Sequence, residues 1–127
     1  MKAALTGVAP ILLVNDINVS VDYYSSTMGF SVIEIYGSPA NFALIQRDNL
    51  VLMFAKAPGD LIKPNWQIVE KTCNVYFWVN DVESLYKEFI DNGAKIDYSL
   101  YTAPYGVKEF GINDPDEYDI AFGEIIK

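Results

Sequence analysis

The sequence predicts an α+β fold made of two βαβββ modules, and three observations point there. Val14-Asn15-Asp16-Ile17 returns as Val79-Asn80-Asp81-Val82, 65 positions later. Each copy follows a short apolar run and opens a segment of helical period that stops at a glycine, Gly29 or Gly93. Each glycine is then followed by three strand-like runs. Similarity at a fixed offset is the mark of repeated supersecondary units.

The elements follow in order. Pro10–Val14 is a strand, and Asp16 or Asn18 can cap the helix after it by accepting orphan backbone N–H groups. Ile17, Val21, Tyr24 and Met28 share one helical face. Strands are predicted at Phe30–Tyr36, Asn41–Arg47 and Leu50–Lys56, joined by Gly37-Ser38-Pro39 and Asp48-Asn49. Residues 57–71 hold Pro58, Gly59, Pro64 and Trp66, break any period, and read as a linker between modules at about 8–56 and 72–125. The second module opens with a strand at Asn74–Val79. Asp81 is its N-cap, and Val82, Leu85, Tyr86, Phe89 and Ile90 form an amphipathic stripe. Strands at about 95–100, 106–112 and 118–125 complete it, the last two joined by Asp114-Pro115-Asp116-Glu117 with proline at the second turn position. A four-stranded sheet with a helix on one face leaves its other face uncovered. Two such sheets can pair edge to edge into a cupped mixed sheet with the helices outside.

Composition bounds the function. The 127 residues read as one domain long enough for a real core. A net charge of −8 argues against nucleic acid, whose phosphates need a basic footprint, and is compatible with a cationic small molecule. One cysteine, Cys73, excludes an internal disulfide and points to a reducing, cytoplasmic compartment. Met1-Lys2 and the apolar stretch Ala3–Val14 only faintly resemble a signal peptide, because the end of that stretch is copied inside the chain. No apolar run approaches the ~20 residues of a membrane span. With no histidine, neither a Ser-His-Asp nor a Cys-His arrangement exists.

At this point the chain resembles the vicinal-oxygen-chelate superfamily of glyoxalases, bleomycin resistance proteins and dioxygenases. The resemblance is carried by Val14-Asn15-Asp16, Tyr23-Tyr24, Met28-Gly29-Phe30, Val79-Asn80-Asp81, Tyr105-Gly106 and Asp114-Pro115-Asp116. Glu117 stands where the family's turn usually has glycine. Catalytic members hold a divalent metal in the cup with His and Glu ligands, one from each of four strands. Carried over, those positions are Ala9, Met53, Asn74 and Ala121. None is a usual ligand for a hard or borderline metal. The resemblance therefore implies the scaffold without the metal site or a cofactor.

Strand alternation then separates the faces. Val75, Phe77 and Val79 should meet the helix stripe, while Asn74, Tyr76 and Trp78 share the face of the former ligand position. Tyr76 and Trp78 either line a pocket there or are covered by a partner copy. Glu109 faces the cup with Val107. Asp119 and Ala121 also face in, with Asp119 read as a solvated strand end. Met53 follows by alignment, Phe42 is assigned from its neighbouring strand, and Tyr105 lies at the loop mouth. The candidate ligand-binding set is thus Phe42, Met53, Asn74, Tyr76, Trp78, Tyr105 and Glu109, with no catalytic and no metal residue. Aromatic faces and a carboxylate suit a cationic, heteroaromatic ligand. The expectation is a metal-free, drug-sequestering protein of the bleomycin resistance type, with antibiotic resistance as the associated role. Open sheet edges and Trp66 suggest a homodimer. The alternatives are a metal-dependent glyoxalase-type lyase, isomerase or dioxygenase with misplaced ligands, and a degenerate member whose filled cup serves protein interaction.

Overall fold

A computed structural model describes residues 2–126; Met1, the start of the leader-like segment, lies outside them. The elements are β1 (Ile11–Val14), α1 (Ile17–Ser26), β2 (Ser31–Tyr36), β3 (Phe42–Arg47), β4 (Leu50–Lys56), β5 (Val75–Trp78), α2 (Val82–Asp91), β6 (Lys95–Ala103), β7 (Val107–Asn113) and β8 (Asp119–Ile125). Residues 57–74 between β4 and β5 contain one helical turn, Asn65–Gln67. No helix among the described residues is long and apolar enough to cross a membrane.

The helices start and stop for the reasons the sequence offers. Asp16, not Asn18, caps α1 by accepting the Val19 N–H at 3.1 Å, and Asp81 caps α2 through the Ser84 N–H at the same distance. Beyond each helix Gly29 and Gly93 take positive φ, 74° and 81°. There the Phe30 and Ala94 N–H groups turn back to the carbonyls of Tyr24 and Phe89. Ile17, Val21, Tyr24 and Met28 are all buried, as are Val82, Leu85 and Phe89. Ile90 departs from its expected stripe and is exposed.

Two four-stranded sheets form, in the orders β1-β4-β3-β2 and β5-β8-β7-β6, each with one parallel and two antiparallel pairings. Among the described residues no strand of one pairs with a strand of the other. What joins the modules is their helix-side faces. Leu12, Ile45 and Phe54 of the first sheet and Phe110, Ile120 and Phe122 of the second belong to one apolar core with residues of both helices. Phe30 meets Phe77 across the join at 6.2 Å. Within one chain the helices lie toward the opposite module, and the other face of each sheet looks away from the core.

Polar contacts fix this join. In the β7–β8 turn, the buried Asp114 carboxylate accepts the Tyr24 hydroxyl at 2.7 Å and the N–H groups of Asp116 and Tyr118. Burial outweighs those donors and raises its pKa to about 6. Asp116 accepts the Asn15 backbone and side-chain N–H groups at the start of α1. Arg47 of β3 makes a two-pronged contact with Glu88 of α2 at 2.7 and 3.0 Å and also donates to the Met28 carbonyl. Trp66 is half used up within the chain, its indole N–H donating to the Glu117 carbonyl at 2.7 Å.

Tyr24→Phe should leave Asp114 short of one buried donor and cost about 1–3 kcal/mol of unfolding free energy by urea titration. Glu117 has a φ of +66°, in the left-handed region where a side chain is disfavoured. Glu117→Gly should therefore stabilise the protein by about 1 kcal/mol, read as a raised midpoint in the same titration.

Candidate functional site on the second sheet

The outer face of each sheet is a set of rows, because directly paired residues share a face. On the first sheet one row runs Ile11, Met53, Leu44 and another Leu13, Ala55, Phe42. Phe42 lies beside Tyr36 with ring centres 6.3 Å apart. This face is apolar and partly bare, with Ile11 58% exposed.

The second sheet has the same lattice with different chemistry. One row runs Tyr76, Ala121, Gly111, Tyr98, and the next Trp78, Gly123, Glu109, Tyr101. Small residues at the centre let rings from the edges lie across the sheet. A Cβ on Gly123 would collide with the Tyr76 hydroxyl, and one on Gly111 with the Tyr98 ring. Tyr76 also packs on Trp78, centres 4.9 Å apart.

These rings converge on one carboxylate. Glu109 accepts the Tyr76 hydroxyl on Oε1 at 2.6 Å, and the Tyr101 and Tyr105 hydroxyls on Oε2 at 2.7 and 2.6 Å. The residue is only 5% exposed. Burial alone would raise its pKa, but the three phenols more than offset that and hold it below the ordinary glutamate value. The cost appears in the phenols. Burial and then Glu109 raise Tyr76, while the hydrogen bond to Glu109 is the chief cause for Tyr101 and Tyr105. A carboxylate offers about four acceptor positions, so Oε1 keeps one for a further donor.

The structure thus brings Tyr76, Trp78, Tyr105 and Glu109 together. It does not bring Phe42 and Met53 to them; those lie on the other sheet. Asn74 stands just before β5, and its side-chain oxygen is occupied by the Asn65 N–H at 2.9 Å. Asp119 corrects an expectation, since it is 95% buried rather than a solvated strand end. Cys73 is partly buried. Tyr98 and Tyr101 went unread because β6 runs to Ala103 and is irregular between Ile96 and Tyr98 and between Tyr98 and Tyr101. Each irregularity shifts the alternation that assigns a face.

A metal does not fit the positions the family resemblance assigns to it. Ala9 and Ala121 offer no donor, the Asn74 oxygen is engaged, and Met53 lies on the other sheet. Among the described residues no three His, Cys, Asp or Glu side chains are grouped to hold an ion. A cleft of about 590 Å³ opens elsewhere, between the β3–β4 turn and the start of α2. Of the candidate residues only Trp78, at the sheet edge, reaches it. A single four-stranded sheet is an open half-cup and encloses little by itself.

Glu109→Gln removes the charge that opposes phenolate formation. The alkaline ultraviolet titration of the protein should then move to lower pH for about three tyrosines, and an unmoved curve would contradict the phenol cage.

The family model described as "Glyoxalase/Bleomycin resistance protein/Dioxygenase superfamily" matches residues 6–122. No curated protein matches the chain significantly. Several solved structures share its fold. TioX from Micromonospora sp. ML1 is 19% identical with a TM-score of 0.71, over 94% of this chain and 95% of that one. The bleomycin-binding protein of bleomycin-producing Streptomyces verticillus, complexed with copper(II)-bleomycin, is 20% identical with a TM-score of 0.71 over 99% of both chains. A glyoxalase-related enzyme from Clostridium phytofermentans is 18% identical with a TM-score of 0.76 over 98% of both. With its repeat, its paired four-stranded sheets and this match over most of its length, the chain belongs to the glyoxalase/bleomycin resistance protein/dioxygenase superfamily.

Proposed function

We propose that this protein is a metal-free, small-molecule binding protein of the cytoplasm that sequesters a cationic or heteroaromatic ligand in an aromatic-lined cup. The observation that carries the reading is the Glu109 carboxylate, fixed by three phenols on an aromatic wall. Trp78, Tyr101 and Tyr105 are exposed and offer stacking faces. The charged oxygen with a spare acceptor position would take a ligand ammonium or N–H group. The positions that would hold a metal in catalytic members carry no suitable donor set. The fold is shared with a protein crystallised with copper(II)-bleomycin, which favours a drug-like ligand and a role in antibiotic resistance.

The cup is completed by a second copy of the chain. Both outer faces are half-cups, and β1 and β5 are open edges. Setting the first sheet of one copy beside the second sheet of another would bring Phe42 and Met53 opposite Tyr76 and Glu109. It would also cover the exposed Ile11 and Leu13 of β1, and burying such exposed apolar surface favours a dimer.

Titration calorimetry should give micromolar or tighter binding of bleomycin or another cationic aromatic ligand, weakened at least tenfold by Glu109→Gln and by Trp78→Ala. Absence of heat with all such ligands would sink the reading. A stoichiometric divalent metal in the purified protein would instead favour a glyoxalase-type enzyme.

A further inference from the structure

The repeat creates two joints in which a turn between strands meets the start of the other module's helix, and the two are filled differently. In the first joint the residues between β7 and β8, 114–118, reach α1. Asp116 accepts both N–H groups of Asn15 and, at 3.4 Å, the Ser20 hydroxyl, while Asp114 accepts the Tyr24 hydroxyl. In the second joint only Asp48 and Asn49 separate β3 from β4, opposite the start of α2. The two helices correspond residue for residue at the 65-position offset. Asn80, Leu85 and Phe89 therefore occupy the places of Asn15, Ser20 and Tyr24. Both hydroxyls that receive the acidic turn in the first joint are replaced by apolar side chains in the second. This joint is open: a cleft of about 590 Å³ lies between the short turn, the end of β5 and α2, a size within the range of small-molecule sites.

The lining sets the kind of ligand. Leu50 and Trp78 both border the cleft and are 48% and 62% exposed, and Phe77 and Leu85 line it with them. Its charged groups are Arg47, Asp48, Asp81 and Glu88, so Arg47 is the one cation among the described residues that line it. That guanidinium is paired with Glu88 at 2.7 and 3.0 Å and stands 3.9 Å from Asp48, whose side chain is 88% exposed. Asp81 is kept ionised, because the Ser84 hydroxyl and N–H groups lower its pKa. The rim thus carries more negative than positive charge around apolar walls.

We propose that the cleft between the β3–β4 turn and α2 is a second small-molecule site, apart from the Glu109 face, that takes a flat apolar cation. Its body would lie against Leu50, Phe77 and Trp78, with the positive charge toward Asp48 and Asp81. An acidic group like the turn in the first joint is disfavoured, because the hydroxyl donors are gone and the rim repels it. A cation is favoured by the same rim and by the indole face. The site stands on its own lining and does not depend on the reading of Glu109. Trp78 borders both surfaces and is therefore kept intact in the test.

The experiment is a nitrogen-15 amide NMR titration of the whole protein with ethidium, an aromatic monocation. Saturable shifts are expected at Asn49, Asn80 and Ser84, following an affinity that Glu109→Gln leaves unchanged. Asp48→Asn should weaken that affinity about fivefold, and asparagine tolerates the positive φ of 54° at this position. Asn49→Arg, at an exposed turn position, should abolish the shifts by placing a cation at the rim. The anionic dye anilinonaphthalene sulfonate should bind the cleft at least tenfold more weakly than ethidium. Absence of shifts at these residues up to millimolar ethidium would overturn the proposal. So would equal binding of the anionic dye, or an affinity untouched by both Asp48→Asn and Asn49→Arg. Shifts at Tyr101 and Tyr105 report the Glu109 face separately, so either site can fail without the other.

Discussion

The apolar core shared by the two modules governs the rest of the molecule. Each sheet has one face that alternation makes apolar, and each is too small to bury that face with a single ten-residue helix. Joining the two helix sides solves both problems at once, since a larger common interior buries a greater share of apolar surface. The geometry that results is not neutral for function. Once the helix sides meet, the other faces must look outward, and whatever chemistry they carry is presented by two separate surfaces. The turn bearing Asp114 and Asp116 makes that arrangement specific, because it ties β7 and β8 to α1 twice: Asp116 holds the exposed Asn15 before the helix, and Asp114 takes the buried Tyr24 hydroxyl, which would otherwise lack a partner.

The outward faces then diverge although their lattices match. On the first sheet the centre of the face is filled by Leu44, Met53 and Ala55. On the second the equivalent centre is Gly111, Ala121 and Gly123, and the bulk comes from tyrosines at the margins. Removing side chains from the middle of a strand weakens it locally, so these glycines are expected where something else must occupy the space. Here the occupants are the rings of Tyr98 and Tyr76. The polar groups of this wall are thus carried on long, nearly rigid side chains laid flat over a small-residue floor.

Much of this was legible in the sequence, and the reasons differ by residue. The 65-residue repeat and the capped helices could be read because caps and terminal glycines are local chemistry. The strand Leu50–Lys56 matches residue for residue, since two turns bracket it. Glu109 could be placed because β7 alternates without interruption from Val107 to Asn113. Tyr98 and Tyr101 could not, because a strand that slips register twice gives no fixed parity to count by. Asp119 was misjudged for another reason. A charged residue at a strand end is ordinarily solvated, whereas the fold buries this one, with its Oδ1 and the Tyr98 ring both lying over Gly111. Ile90 continues the helical period correctly but lies at the edge of the stripe, where neither sheet reaches it.

The phenol-bound carboxylate sets the electrostatics of the second sheet's outer face. A metal site presents a positive centre to an anionic or oxygen-bearing ligand. A glutamate fixed by neutral donors presents the reverse, a negative centre that keeps its charge because hydroxyls rather than cations satisfy it. An ion pair with Lys or Arg would have satisfied Glu109 equally well but cancelled the field a ligand could feel. Three phenols leave that field in place and hold the oxygens in position before any ligand arrives, so less ordering cost falls on binding. The Glu109 carboxylate is tied through both oxygens to the rings around it, and one acceptor position on Oε1 is left to face outward from the wall.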